Sequence, residues 1–223
     1  MDISFILDFL KEHENIENKR GMSRFCINTD KAFGVRIPVL RQLAKTIGKD
    51  HHLALSLWKS GFHEARLLAI FIADPKQVDE EQMESWVLEF DSWDICDQCC
   101  GVLFDKTPFA FKKAIAWAGR DEEFVKRAGF VLMATLVVHR KKVADQEFMP
   151  FFTLIEREAC DERNFVKKAV NWALRQIGKR SVFLHANAIE SCEKIKLQNS
   201  KSARWIAADA LRELHSEKLK IRK

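Results

Sequence analysis

Apolar residues recur three and four positions apart along nearly the whole chain, and no stretch sustains a period of two. A sheet lacks its signature, so the spacing predicts an all-α protein. Ile3, Ile6, Leu7 and Leu10 give one face of an opening helix, and Val35 to Ile47 give another, with Gly34 and Pro38 bracketing its first turn. Further helices are predicted over 51–59, 63–73, 79–90, 92–104, 108–118, 122–138, 145–158, 162–178, 182–195 and 201–216. Thr107-Pro108 reads as a cap residue followed by Pro at the first helical position; Asp74-Pro75 and Met149-Pro150 mark further boundaries. Only 8 Gly and 4 Pro are present, too few for the turns of a sheet protein.

Four of these segments resemble one another: HEARLLAIF from His63, FVKRAGFVL from Phe124, FVKKAVNWAL from Phe165 and SARWIAADAL from Ser202. Each carries a base early, with small or apolar residues behind it. Aligning Arg66, Arg127, Lys168 and Arg204 gives steps of 61, 41 and 36 residues. WDICDQCCGVLF from Trp93 divides the first step into 31 and 30, and places Asp97 where the others carry a base. Such steps fit two-helix repeats of the HEAT or armadillo kind, nominally about 40 residues long. The expected fold is therefore all-α, with HEAT/armadillo-like repeats stacked as a curved, right-handed solenoid with a concave basic face. We expect one domain over 1–223, ending in a frayed basic tail at 217–223. The alternative for the bases is a merely solvated face.

The formal net charge is +5, from 37 basic and 32 acidic residues. This balance permits nucleic-acid binding without demonstrating it. The first residues, MDISFILDFLKEHENIENKR, lack the basic start and long apolar core of a signal peptide. Nothing approaches the roughly 20 apolar residues of a membrane span. Six Cys without an export signal are expected to stay reduced, so the expected location is cytoplasmic and no membrane partner is expected. Cys96, Cys99 and Cys100 cluster on one helix, but no second knuckle or spaced His pair joins them, although His51 and His52 are adjacent. They read as buried residues at a helix contact, and no metal is expected. Neither a P-loop nor a G-x-G-x-x-G fingerprint occurs, so no cofactor is expected.

Trp93 and Asp97 stand four apart on one helix face, and Lys168, Trp172 and Arg175 share another at steps of four and three. An indole face attracts a cation by about 0.5–2 kcal/mol. A carboxylate stabilises positive charge developing on a sugar ring. Bases spaced one repeat apart suit a phosphate backbone. Each residue also has a plainer role: either Trp as core, Asp97 as an ion-pair partner or, with Asp94, a helix cap, and Arg127 as a surface ion pair. Their combination argues for a site.

From about Gly34 to Leu214 the chain resembles the AlkD-like DNA alkylation-repair glycosylases, which are built from HEAT-like repeats. The resemblance is strongest in SWDICD at 92–97, FVKRAGFVL at 124–132 and FVKKAVNWALRQIGKR at 165–180. That family has a Trp four residues before its catalytic Asp, an Arg on a later helix and a second Trp beyond; here these read Trp93, Asp97, Arg127 and Trp172. The resemblance implies a glycosylase of the 3-methyladenine/7-methylguanine type, acting on N3- or N7-alkylated purines in double-stranded DNA and leaving an abasic site. It implies that Asp97 is catalytic, that Trp93 and Trp172 contact the lesion, and that Arg127 engages nearby DNA. Arg66, Lys168, Arg175 and Arg204 are expected to bind phosphates, and a monomer is expected. The family often has a Tyr near the N-terminus; this chain has none, and Phe25 takes that place with a ring but no hydroxyl.

Two rivals stay open at this level. A non-catalytic HEAT-like module gripping DNA or RNA keeps the basic track but has no use for Asp97. A protein scaffold predicts a mixed or apolar inner face instead.

Overall fold

The computed structural model describes residues 1–216 and Ile221, so the predicted basic tail at 217–223 lies largely outside the described residues. All regular structure among those residues is helical: thirteen α-helices and two short 3-10 turns. Side chains close many of the helix starts. Asp2, Asn15, Asp50, Asp79, Ser181 and Ser200 each accept a hydrogen bond from the backbone N–H three residues on, satisfying a donor that the helix itself leaves open.

The chain packs as two compact units that meet in sequence at Thr107 and Pro108. The first holds α1 (Ile3–Glu12), α2 (Ile16–Arg24), α3 (Ile37–Ile47), α4 (His51–Lys59), α5 (His63–Ile72), α6 (Glu80–Leu88) and α7 (Trp93–Val102). Its core is aliphatic around Leu40, Leu57, Leu67 and Leu68. An aromatic stack extends it, with the Trp58 and Trp86 rings parallel at 3.9 Å and Phe90 and Phe104 beside them. Each fully buried side chain of this size contributes about 1.5–3 kcal/mol over an exposed one.

The second unit holds α8 (Ala110–Ala118), α9 (Glu123–His139), α10 (Met149–Glu158), α11 (Asn164–Gly178), α12 (Val182–Lys196) and α13 (Lys201–Leu214). Helix α9 is its axis, buried without a break from Val125 to Val137. A side chain at Gly129 would bring its Cβ within 2.5 Å of the Ala118 backbone nitrogen, so α8 and α9 approach as closely as glycine permits. Helices α9, α11 and α13 lie side by side. Contacts from α11 to α13 keep one offset, Lys167 to Trp205, Asn171 to Asp209 and Arg175 to Glu213, so these two helices run parallel. The loop after α9 is wrapped on Arg180, which donates to the carbonyls of Val137 and Val143 and to Asp145, and stacks on Phe148.

Most predicted helices form within a residue or two of their expected limits. Thr107 does not cap α8: its hydroxyl donates to the Phe104 carbonyl at 2.8 Å and closes a 3-10 turn, and α8 starts at Ala110. Helix α3 starts at Ile37 rather than Val35, because Gly34 and Val35 donate their N–H groups to the Glu64 carboxylate. No helix among the described residues is long and apolar enough to cross a membrane.

Candidate functional site

In the first unit, α7 turns Ile95, Cys96, Cys99 and Cys100 wholly into the core. That leaves Trp93 and Asp97, one turn apart, half-buried on its outer side. Burial, then neighbouring Cys96 and Cys99 and the charge of Asp97, push the Cys100 thiol well above its ordinary range. Cys99, raised by its burial, and Cys100 are therefore neutral packing, not nucleophiles.

The first residue of α7 is anchored across the unit. The Trp93 indole N–H donates to the backbone carbonyl of Phe25 at 2.9 Å. Phe25 ends α2, and its own ring is 70% exposed. The segment that follows is held on several sides. Asn28 donates to Asp91 at 2.9 Å, and the Lys31 carbonyl accepts from the His63 backbone. Glu64, fully buried, accepts three backbone N–H groups, from Phe33, Gly34 and Val35. Gly34 has φ +79°, and a Cβ there would fall 2.2 Å from the Asn15 carbonyl oxygen, so both conformation and space demand glycine.

Beside Trp93, Asp94 is no cap. Ser92 holds the N-cap position, and Asp94 instead meets Nε2 of the buried His63 at 2.9 Å. Burial opposes charge on His63, but the hydrogen bond and charge of Asp94, with Glu64 and Asp91 nearby, outweigh it and raise the imidazole above its usual value. Burial likewise opposes charge on Asp94, and the His63 bond and charge outweigh it and hold the carboxyl low. The pair therefore favours the ionised form and fixes the start of α7 against the start of α5. His63 also lines a polar pocket with Asn28, Asp30, Lys31, Gly61, Arg66 and Asp91. Arg66 is engaged by its own chain: it donates to the Glu89 carboxylate at 2.7 Å and to the Glu89 carbonyl, and lies over Trp58.

In the second unit, α11 presents Lys168, Trp172 and Arg175 on one side, Lys168 exposed and the other two half-buried. Arg175 is drawn to Glu213 at 2.5 Å. Arg127 is buried, and one guanidinium nitrogen donates to the Phe165 carbonyl at 2.7 Å. Arg204 is exposed on α13, next to Trp205, which is 41% exposed.

The structure thus joins Phe25 to Trp93, sets Asp97 one turn on, and aligns Lys168, Trp172 and Arg175. It ties Arg66 and Arg127 to acceptors of their own units. Sequence reasoning missed the His63–Asp94 pair, the Glu64 carboxylate and Trp205. The first had a signal, since His63 and Asp94 stand 31 residues apart, the same step that aligns Arg66 with Asp97. No three His, Cys, Asp or Glu side chains among the described residues gather as a metal site.

Residues 6–214 match the sequence profile of the family described as DNA alkylation repair enzyme. A solved structure with TM-score 0.80 and 20% identity aligns over 95% of this chain and 95% of its own. That structure is described as a new family of proteins related to the HEAT-like repeat DNA glycosylases with affinity for branched DNA structures, and the likeness gives this chain a HEAT-like repeat fold. No curated protein is significantly similar in sequence.

Proposed function

The chain belongs to the DNA alkylation repair enzyme family, and from that premise we propose that it is a DNA glycosylase acting on cationic purines alkylated at N3 or N7. Its substrate on this reading is double-stranded DNA, its product an abasic site, and it works as a monomer wherever the DNA lies, in cytoplasm or nucleoid. The observation that carries the reading is Trp93 and Asp97 on one outer side of α7, with the indole anchored to Phe25.

An N3- or N7-alkylated purine carries positive charge on the base. When the C1′–N bond breaks, its electron pair neutralises the base, which leaves without a general acid. Positive charge then grows on the deoxyribose, where the carboxylate of Asp97 stabilises it, as carboxylates do in glycoside hydrolysis. Water adds to C1′ and gives up a proton, completing hydrolysis. Trp93 and Trp172 favour the cationic nucleotide by about 0.5–2 kcal/mol per indole through cation–π attraction, and Phe25 adds ring contact. Arg127 engages the backbone near the lesion, and Lys168, Arg204 and Arg175 hold phosphates further along; Arg66, held by Glu89, adds little to that grip.

The test is release of 7-methylguanine from methylated DNA by the purified protein. Asp97→Asn should abolish release while DNA affinity stays equal or rises, since an acid beside phosphates is lost. Release by the variant at the wild-type rate would remove Asp97 from the chemistry. A second reading, a module that grips branched DNA without cleaving it, draws on the description of the structural neighbour. It predicts no release by either protein.

A further inference from the structure

Helix α13 is sharply divided. Ser202, Ala203, Ile206, Ala207, Ala210 and Leu214 are buried. Lys201, Arg204, Trp205, Ala208 and Arg212 are exposed at spacings of three, one, three and four, one continuous outer stripe. It contains three bases and an indole, and no acid. The helix does carry acids, Asp209 and Glu213, but these turn toward α11. There Asp209 accepts from Asn171 and also pairs with Arg212 of the stripe, and Glu213 accepts from Arg175 and Lys179. Glu162, near the start of the helix, is occupied by the Ser200 hydroxyl and the Ser202 N–H.

Within this stripe Trp205 is 41% exposed, whereas Trp117 of the same unit is 1% exposed. Lys167 of α11 places its ammonium 5.2 Å from the centre of the Trp205 ring. Lys201 stands one turn before the ring and Arg204 next to it, and neither forms an ion pair among the described residues. A flat ring partly open to solvent, with one cation over it and two beside it, lacks the apolar breadth of a protein-docking patch. It has the two parts that bind a nucleic-acid strand through an unpaired base: a stacking surface and charges for the flanking phosphates.

We propose that the outer stripe of α13 is a stacking site for an unpaired base, with Trp205 under the base and Lys201, Arg204 and Lys167 on the adjoining phosphates. Duplex interiors keep their base faces covered, so the site engages DNA at single-stranded arms, gaps and branch points. The proposal rests on the reading that DNA is the partner, and adds to it a preference for exposed bases.

The experiment is equilibrium binding at fixed salt to three labelled DNAs: an oligothymidylate, a blunt duplex and a forked duplex with single-stranded arms. Trp205→Ala should weaken binding to the single strand and the fork about five- to 150-fold, the range expected for loss of one stacked base. It should leave the blunt duplex unchanged, and Trp205→Phe should retain most of the affinity. An unchanged melting temperature is expected, because the side chain is exposed. Equal losses on all three DNAs, no loss on any, or a Phe variant as weak as the Ala variant overturns the proposal, as does a wild-type protein that binds none of them. Excision is read separately. If the wild type releases no 7-methylguanine but the fork preference vanishes in Trp205→Ala, the glycosylase reading falls and this site stands.

Discussion

The indole N–H of Trp93 reaches the backbone carbonyl of Phe25 at 2.9 Å, joining two residues 68 positions apart. Because the acceptor is a carbonyl, the anchor does not depend on the side chain at position 25. The Phe25 ring is free to serve the surface, where it is 70% exposed.

That separation of roles predicts an order of activities. Trp93→Ala loses both ring and anchor, and should lower 7-methylguanine excision about two- to thirtyfold, matching a lost cation–π contact of roughly 0.5–2 kcal/mol. Trp93→Phe keeps a ring but no donor and should fall between wild type and Ala. Stability should change by less than about 1 kcal/mol, since water can replace the donor at an exposed carbonyl. A Phe variant as active as wild type would show that the anchor does not position the indole.

Glu64 supports the same segment from beneath. Its carboxylate is fully buried and accepts from Phe33, Gly34 and Val35. Glu64→Gln turns an amide NH2 toward a backbone N–H, leaving donors facing each other in the core. The expected cost is about 2–4 kcal/mol of unfolding free energy, measured by urea denaturation, with faster amide exchange across 25–35. A variant as stable as wild type would show the carboxylate to be dispensable.

Much of this architecture was readable in the sequence because it follows from burial. Helices α4, α5 and α11 carry long apolar stripes and lie where the spacing puts them. Helix α2 escaped notice because it buries no residue; only Asn15, accepting from Asn18, announces it. Aligning Lys168 with Arg204 gives a step of 36, but the side chains of α11 and α13 meet at an offset of 38, as Asn171 and Asp209 do. The alignment matched like charges, while packing follows the helix faces. The candidate site was visible as residue types, Trp93, Asp97 and Lys168 above all. Its supports were not, because Glu64 bonding to a loop or His63 finding Asp94 depends on distant segments meeting, which no local pattern records.

The His63–Asp94 pair predicts a pH dependence of stability. His63 is raised above 6.5 in the folded state, so its contribution is complete below that value and is lost as pH rises through the raised one. Asp94 is held below 3.8, so its contribution is present above that value and is lost as pH falls through the lowered one. The pair therefore stabilises most between about pH 4 and 6.5. Melting temperature should fall as pH rises from 6 to 8 by more in wild type than in His63→Gln, which can bond Asp94 but does not titrate. Parallel curves for the two proteins would show that the pair is not coupled to folding.

The bases of the predicted track differ in what they already hold, and that difference should appear in the salt dependence of DNA binding. Lys168 and Arg204 are exposed and form no ion pair among the described residues. A phosphate contact by either releases counterions, so Lys168→Ala and Arg204→Ala should each reduce the slope of log affinity against log salt by about one. Arg66 is bound to Glu89 through two nitrogens and covers Trp58. Any phosphate it met would have to displace a carboxylate, and the net counterion release would be small. Arg66→Ala should therefore leave the slope nearly unchanged while lowering stability through the lost stacking and hydrogen bonds. If Arg66→Ala shifts the slope by a full unit and Lys168→Ala does not, the DNA backbone follows a different line of bases from the one this surface offers.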